Sequence, residues 1–185
     1  MPKNEMQNLK ERMSKAVEHL KKECLGVRTG RAHPALVEDL KVDYYGTMTP
    51  LKQMGTVSIP EPRQILISPW DKTSLKAIEK AIMASSLGVT PQTDGENVRI
   101  NLPELTGERR MELTKLVKKY AEEARVAVRN VRREGNEAFK KMEKTSEITE
   151  DDLQLYQKEI QELTDEWIKN VDEVLEKKEK EILED

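Results

Sequence analysis

The chain has 185 residues, of which 36% are charged, 36% are hydrophobic and only 4% are aromatic. This mix favours long, exposed helices over one large compact core, and the length allows one or two domains. The formal net charge of −3 excludes a uniformly basic nucleic-acid binder, so any basic site must be a local patch. The single cysteine, Cys24, excludes an internal disulfide and favours a reducing compartment. No apolar run resembles a signal peptide or a membrane span, and we expect a cytoplasmic protein with no membrane partner.

The first predicted helix covers residues 3–28. Its apolar side chains recur at steps of three and four residues, and they are Met6, Leu9, Met13, Ala16, Leu20, Cys24 and Val27. This spacing predicts an amphipathic helix whose apolar stripe packs against other helices. Gly26, Gly30 and the dipeptide His33-Pro34 indicate that the helix ends here.

The segment between residues 31 and 105 differs in composition, since it holds seven of the eight prolines. Four short runs are typical of β-strands, namely Lys41–Tyr45, Thr56–Ile59, Gln64–Ser68 and Val98–Leu102. Thr73–Ser85 has the apolar spacing of one short helix, and Asp94-Gly95 predicts a tight turn before the last strand. We therefore expect a small α+β domain inserted between helices.

Two longer helices follow the inserted segment. One begins with Thr106 as N-cap and runs to about residue 144, and the other begins with Thr149 as N-cap. The apolar stripe of the first comprises Leu113, Val117, Tyr120, Ala124, Ala127, Val131, Ala138 and Met142. That of the second comprises Leu153, Tyr156, Ile160, Leu163, Trp167, Val171, Val174 and Ile182. Gly135 costs roughly 1 kcal/mol against alanine inside a helix, and local bending is expected there.

Three helices with one apolar stripe each are stable only when they bury those stripes together. The predicted fold class is α+β: a long three-helix bundle from residues 1–29 and 106–185, with a small β/α/β domain, 31–104, inserted. Two connecting segments should act as a hinge. The predicted hinge residues are Thr29, Gly30, Arg31, Glu104, Leu105, Thr106 and Gly107. The expected shape is a rod with a smaller lobe at one end.

The strongest candidate site is the stretch from Arg125 to Arg133. Arg125, Arg129 and Arg132 are spaced four and three residues apart, which places them on one helix face. Val128 and Val131 lie between them and should point into the bundle. Guanidinium groups suit phosphate oxygens because they stay charged and donate two parallel hydrogen bonds. The pattern predicts a face that grips nucleic acid.

Charge along the chain is asymmetric and favours this interpretation over a merely solvated helix face. Residues 108–144 carry twelve basic and seven acidic side chains, whereas residues 149–185 carry five basic and fourteen acidic ones. Arg133 falls on the same broad face, and Arg28 and Arg31 add positive charge where the first helix ends. RNA is favoured over DNA, because no DNA-reading module is visible and an arginine face contacts mostly backbone.

Signatures of enzymes are absent from the sequence. There is no phosphate-binding loop, no His-Glu-x-x-His motif and no set of metal ligands, so we expect no enzyme activity, no cofactor and no metal. Of the dipeptide Tyr44-Tyr45, one ring should pack inside the inserted domain and the other should face outward, where stacking on bases is an open alternative. Trp70 and Trp167 are predicted to be packing residues.

Four motifs together resemble bacterial ribosome recycling factor over the whole chain. They are Arg28-Thr-Gly-Arg-Ala32, Tyr44-Tyr-Gly46 with Thr49-Pro50, Leu105-Thr-x-Glu-Arg-Arg110, and Arg125-Val-Ala-Val-Arg-Asn-Val-Arg-Arg133. The resemblance implies a two-domain, L-shaped protein similar in outline to a transfer RNA. Such proteins bind the large subunit of the 70S ribosome after peptide release. With elongation factor G and its GTP hydrolysis, they split the post-termination complex and free the messenger RNA.

The resemblance also implies roles for individual residues. Contact with large-subunit ribosomal RNA carries over most directly to Arg129 and Arg132, and less directly to Arg28, Arg31 and Arg125. The family hinge matches Thr29-Gly30 and Thr106-Gly107, and the inserted lobe would be pushed by elongation factor G. We expect a monomer that does not bind DNA. The alternative hypothesis is a coiled-coil-like scaffold that binds another protein and whose charges serve solubility.

Overall fold

The computed structural model describes residues 1–184, which fall into two compact units. The first unit comprises Met1–Cys24 and Lys115–Glu179, and the second comprises Leu25–Thr114 together with the described chain from Lys180 onward. The described residues form four α-helices, which are α1 (Pro2–Leu25), α2 (Leu75–Ala84), α3 (Gly107–Lys144) and α4 (Glu150–Glu184). The fold class is α+β, as predicted. The predicted hinge residues remain a prediction, because a hinge is defined by motion between conformations.

The first unit is built from α1, α3 and α4. One of its clusters of buried residues contains Met6, Leu9, Met13, Val128, Val131, Phe139, Ile148, Ile160 and Leu163. Phe139 of α3 stacks on Tyr156 of α4 with ring centroids 4.6 Å apart. Because each helix contributes one apolar stripe, the cluster confirms that the helices pack through the predicted stripes.

Some positions within these stripes were predicted one residue away from where they lie. In α1 the fully buried residue is Val17, and Ala16 is only half-buried. In α3, Ala121 and Phe139 are fully buried, whereas the predicted stripe residues Tyr120 and Ala138 beside them are half-buried. Ala127 is also half-buried, next to Val128, which is fully buried and was predicted to point into the bundle. The pattern alone fixes a stripe to within about one residue, since adjacent residues differ by only 100° around a helix.

Both predicted N-caps are confirmed. The hydroxyl of Thr106 accepts a hydrogen bond from the backbone N–H of Arg109 at 3.1 Å. Thr149 and Asp152 cap α4 reciprocally, since each side chain accepts from the backbone N–H of the other at 3.1 Å. These bonds satisfy N–H groups that have no partner within their own helix. The first helix ends at Leu25, earlier than predicted, with Gly26 directly after it.

Six strands in two antiparallel sheets lie in the part of the second unit that the structure describes. The strands are β1 (Lys41–Tyr44), β2 (Thr47–Pro50), β3 (Gly55–Glu61), β4 (Gln64–Pro69), β5 (Gln92–Thr93) and β6 (Val98–Asn101). A hairpin pairs β1 with β2, and the other four strands are arranged in the order β3-β4-β6-β5. The sequence prediction missed β2 and β5. β2 has only four residues and ends in a proline, and β5 consists of two polar residues, so neither has the composition typical of a strand.

A separate cluster of apolar residues lies at the centre of the second unit. Its fully buried members include Val42 from β1, Ile65 and Ile67 from β4, and Ile78 and Ile82 from α2. Burial therefore alternates along β4 and follows helical spacing along α2, as one-sided packing requires. The inserted segment thus has an apolar core of its own. No described helix is long and apolar enough to cross a membrane.

Candidate nucleic-acid interface on α3

Four arginines of the candidate face lie on α3, within the first unit. The helix is continuous over 38 residues, which fixes the angular spacing of Arg125, Arg129 and Arg132. Val128 is fully buried and Val131 nearly so, which confirms that both point into the bundle. The apolar side of the stretch anchors the helix, and the arginines project from the other side.

Arg125 is the most strongly engaged of the four. Its Nε and Nη2 donate to Oδ1 of Asp172 at 3.1 and 2.7 Å, and its Nη1 donates to Oε2 of Glu122 at 3.1 Å. Burial lowers the pKa of Arg125, but the hydrogen bonds to Asp172 and Glu122 outweigh it and leave the pKa raised. With 20% of its side chain exposed, Arg125 joins α3 to α4.

Arg129 shares the carboxylate of Glu122. Its Nη1 donates to Oε1 of Glu122 at 3.3 Å, and 38% of its side chain is exposed. The hydrogen bond from Arg125, aided by Arg129, outweighs desolvation and lowers the pKa of Glu122. An exposed pair of this kind contributes little stability, so Arg129 can exchange Glu122 for another acceptor at small cost.

Arg132 and Arg133 differ from these two residues. Within residues 1–184, neither makes an ion pair or a side-chain hydrogen bond. Arg132 is half-buried and Arg133 is exposed. They are therefore the arginines of this stretch whose charge is not already offset by a protein carboxylate.

The offsetting acids were only partly visible in the sequence. Glu122 lies three residues before Arg125, a spacing that brings helical side chains together. Asp172 lies 47 residues from Arg125, and only the antiparallel packing of α3 and α4 makes them neighbours. The predicted face is thus present, with its charge partly neutralised at one end.

Arg28 has a different environment, in the second unit. It is 7% exposed, its Nη2 donates to the carbonyl oxygen of Pro103, and its Nε is buried without a partner. Burial lowers the pKa of Arg28, and the positive charges of Arg109, Arg63 and Arg110 lower it further. Arg28 thereby ties the segment that enters the inserted domain to the segment that leaves it. Arg31, by contrast, is exposed.

Backbone hydrogen bonds hold the chain directly next to the two predicted hinge segments in the second unit. The N–H of Ala32 donates to the carbonyl of Pro62 at 2.7 Å, and the N–H of Leu102 donates to that of Arg63 at 2.8 Å. Leu105 is buried, whereas Glu104 is exposed and lies 4.0 Å from Arg63. Thr29 and Gly30 are half-buried, and Gly107 begins α3.

The aromatic residues agree only partly with their prediction. Tyr44 packs against the core of the second unit while Tyr45 is 80% exposed, as expected for one inward and one outward ring. Trp167 packs against the core of the first unit. The packing prediction for Trp70 is wrong, because 69% of this residue is exposed. Among the described residues, no three metal-ligating side chains cluster.

Comparison with known proteins agrees with the sequence resemblance. Residues 20–183 match the family described as ribosome recycling factor. The chain is 53% identical to the ribosome-recycling factor of Geobacillus thermodenitrificans and 54% identical to that of Listeria monocytogenes, with 100% of each chain covered. It superposes on a solution structure of a ribosome recycling factor with a TM-score of 0.78 and 45% identity, covering 100% of this chain and 98% of that one.

A second similar structure places such a factor in a complex. It is described as models for the T. thermophilus ribosome recycling factor and the E. coli elongation factor G bound to the E. coli post-termination complex. The TM-score is 0.67 at 46% identity, with 99% of each chain covered.

Proposed function

This chain belongs to the ribosome recycling factor family, and we propose that it splits ribosomes after termination. It binds the large ribosomal subunit of the post-termination complex together with elongation factor G, which hydrolyses GTP. The subunits then separate and the ribosome is released from the messenger RNA. The chain acts as a binding factor and not as an enzyme, and it works in the cytoplasm, where its ribosomal partner is found.

The proposed contact with ribosomal RNA is the arginine face of α3. The observation that carries it is that Arg132 and Arg133 form no ion pair with a carboxylate within residues 1–184. Guanidinium forks without a partner are ready to bind phosphate oxygens. Val128 and Val131 anchor the opposite side of the helix, so the face is presented rigidly.

The other candidate arginines differ in how readily they can contact RNA, because they differ in the protein groups that they already bind. Arg129 can join the contact by exchanging Glu122 for a phosphate, whereas Arg125 must give up two carboxylates. Arg31 is exposed and available. Arg28 is the least suited to direct contact, because its guanidinium is buried against the carbonyl of Pro103.

The acidic surface of helix α4 restricts the proposed RNA contact to α3. Residues 149–185 carry fourteen acidic against five basic side chains, and phosphates are repelled by such a surface. A net charge of −3 is therefore compatible with RNA binding through α3 alone. We also propose that the segments 29–31 and 104–107 act as a hinge when elongation factor G pushes the inserted domain.

Sedimentation with purified large ribosomal subunits over a series of salt concentrations tests the RNA contact. We expect Arg132→Ala to keep the helical circular dichroism signal and to weaken binding at every salt concentration. If Arg132 neutralises one phosphate, the slope of log affinity against log salt falls by about one. Lys10→Ala, an exposed substitution on α1, is the matched control and should leave the slope unchanged.

The alternative, a scaffold that binds another protein through its helices, predicts a different result. Binding of both variants would then equal that of the wild type at low and at high salt. Such an outcome would remove the arginine face as the RNA contact. Splitting of post-termination complexes with elongation factor G and GTP tests the overall function separately from the arginine face.

A further inference from the structure

The second unit has a cleft that the RNA contact does not use. It has a volume of about 180 Å³ and is lined by Tyr44, Thr49, Gln53, Met54, Trp70, Asp71 and Ser74. Trp70 lines this cleft although 69% of the residue is exposed. An exposed tryptophan beside a cleft is typical of binding surfaces, where tryptophan and tyrosine are enriched.

Hydrogen bonds fix the walls of the cleft. The hydroxyl of Tyr44 donates to Oδ2 of Asp71 at 2.6 Å. The backbone N–H and the hydroxyl of Thr73 donate to Oδ1 of Asp71 at 2.9 and 2.6 Å. Just beyond the ends of β3 and β4, the N–H of Trp70 donates to the carbonyl of Met54 at 3.0 Å. The cleft is therefore preformed, which lowers the entropy lost on binding.

The backbone of Tyr45 is strained, and contacts with Tyr44 and Thr73 in the same network stabilise it. Its φ of +50° lies in the left-handed region, which a tyrosine rarely adopts. Its ring meets that of Tyr44 edge to face with centroids 4.7 Å apart, and its hydroxyl lies 3.1 Å from that of Thr73. Strained residues held by their surroundings concentrate at functional sites.

The electrostatics of the cleft disfavour a phosphate and favour a cation. Among the described residues that line the cleft, Asp71 is the only charged one and none is basic. Hydrogen bonds from the Thr73 hydroxyl and from Tyr44 lower the pKa of Asp71, so the carboxylate is ionised at neutral pH. A carboxylate has about four acceptor positions, and three are used here.

We propose that this cleft binds one arginine or lysine side chain presented by a protein partner. The cation lies over the indole of Trp70, in a cation–π contact, and faces the carboxylate of Asp71. The aliphatic stem packs against Met54, as basic side chains do when their charged end stays at the surface. This site is separate from the arginine face and goes beyond the proposed grip on RNA.

A titration of the isotope-labelled full chain tests the site without a ribosome. The probe is N-acetyl-arginine amide, and the readout is the indole N–H signal of Trp70 in a nitrogen–proton correlation spectrum. We expect a saturable shift at millimolar probe, while the signal of Trp167 in the other unit does not move. N-acetyl-citrulline amide, which has nearly the same shape but no charge, should bind at least fivefold more weakly. Equal shifts with both probes, or no shift, would overturn the proposal.

Substitutions distinguish a loss of the Asp71 charge from a loss of folding as the cause of weaker probe binding. Asp71→Asn keeps the shape of the side chain and should weaken probe binding at least fivefold. Glu61→Gln removes one negative charge from the same unit outside the cleft, and it should leave binding unchanged. Should Asp71→Asn lower the melting temperature strongly, Trp70→Ala replaces it, because Trp70 is exposed and the amide signal of Thr73 then reports binding. If neither Asp71→Asn nor Trp70→Ala weakens binding, the site is wrong.

Cross-linking identifies the class of partner. A photoreactive benzoylphenylalanine replaces Gln53, an exposed residue that lines the cleft, so that Trp70 and Asp71 stay intact, and it is irradiated in purified post-termination ribosomes with elongation factor G. We expect a cross-link to a protein segment that contains an arginine or lysine. A cross-link to ribosomal RNA alone would contradict a protein partner. Co-sedimentation of the same variant with ribosomes is scored separately, so a failure of ribosome binding is not confused with a failure of the cleft.

Discussion

Leu9 of α1 packs directly on Gly135 of α3. A Cβ atom added at residue 135 would lie 2.5 Å from Cδ1 of Leu9 and 3.0 Å from its Cδ2. Both residues are buried, and α3 runs through Gly135 without interruption. Glycine at this position therefore allows the two helices to approach closely, and the local bending expected from its low helix propensity remains a prediction.

Gly135→Ala should destabilise the protein in spite of its better helix propensity. Alanine gains about 1 kcal/mol over glycine in a helix interior. Overpacking a well-filled core costs about 1–3 kcal/mol. Leu9 is fully buried, so its side chain cannot move aside into solvent. We expect the free energy of unfolding to fall by about 1 kcal/mol, measured by urea denaturation.

The same substitution in a Leu9→Ala background isolates the contact. Without the leucine methyl groups, the alanine at 135 keeps its propensity gain and loses its clash, so it should be neutral or stabilising. The two effects are then non-additive, as expected for residues in direct contact. A stabilising Gly135→Ala in the wild-type background would mean that α1 and α3 are packed more loosely than this contact indicates.

Thr149→Ala should weaken the start of α4. The substitution removes the hydroxyl that accepts from the N–H of Asp152. Loss of an N-cap of this kind costs about 1 kcal/mol. Thr149→Ser, which keeps the hydroxyl, is the control and should lose much less. Thermal unfolding followed by circular dichroism measures both, and equal losses would assign the effect to the methyl group.

Much of the fold could be predicted because its signals are local. Apolar spacing predicted the helices, and hydroxyl residues at Thr106 and Thr149 predicted where two of them begin. The hairpin partner strand Thr47–Pro50 was missed, because it is stabilised by pairing with Lys41–Tyr44 and not by its own residues. Which residue of a stripe is fully buried also depends on the partner helix.

The candidate site was predictable to a lesser degree. The angular sorting of arginines on α3 follows from spacing alone. Whether each arginine is free depends on tertiary neighbours such as Asp172, and the burial of Arg28 under Pro103 has no local signature. The exposure of Trp70 was missed for the same reason, since composition suggests that a tryptophan is packed.

Acid should weaken the turn that joins β5 to β6. Oδ1 of Asp94 accepts from the N–H groups of Asn97 and Glu96 at 2.8 and 3.0 Å, and these bonds lower its pKa from 3.8. Because the folded pKa lies below the unfolded one, this stabilisation is present above about pH 4 and is lost as the pH falls through the folded value. A carbon-detected titration of the Asp94 carboxyl group should give a midpoint below 3.8.

Asp94→Asn serves as the matched variant for this turn. The amide oxygen can still accept both hydrogen bonds, but it does not titrate. Its stability should therefore fall less steeply than that of the wild type as the pH is lowered below about 4. If both proteins lose stability in parallel, Asp94 does not contribute to the acid sensitivity.

Glu122→Gln should increase affinity for ribosomal RNA. Glu122 pairs with Arg125 at 3.1 Å and with Arg129 at 3.3 Å, and its charge competes with phosphate for both. Removing that charge leaves Arg129 without a carboxylate partner, while Arg125 keeps Asp172. We expect severalfold tighter binding to large subunits and a salt slope steeper by up to about one.

The cost to folding of this substitution should be small, because exposed pairs contribute about 0–1 kcal/mol. Glu123→Gln is the matched control, since it removes the same charge about 100° away around α3. Tighter binding by the Glu122 variant alone would place Arg129 at the RNA contact. Equal affinities of the two variants would instead restrict the contact to Arg132 and Arg133, whose charges no carboxylate offsets in the described chain.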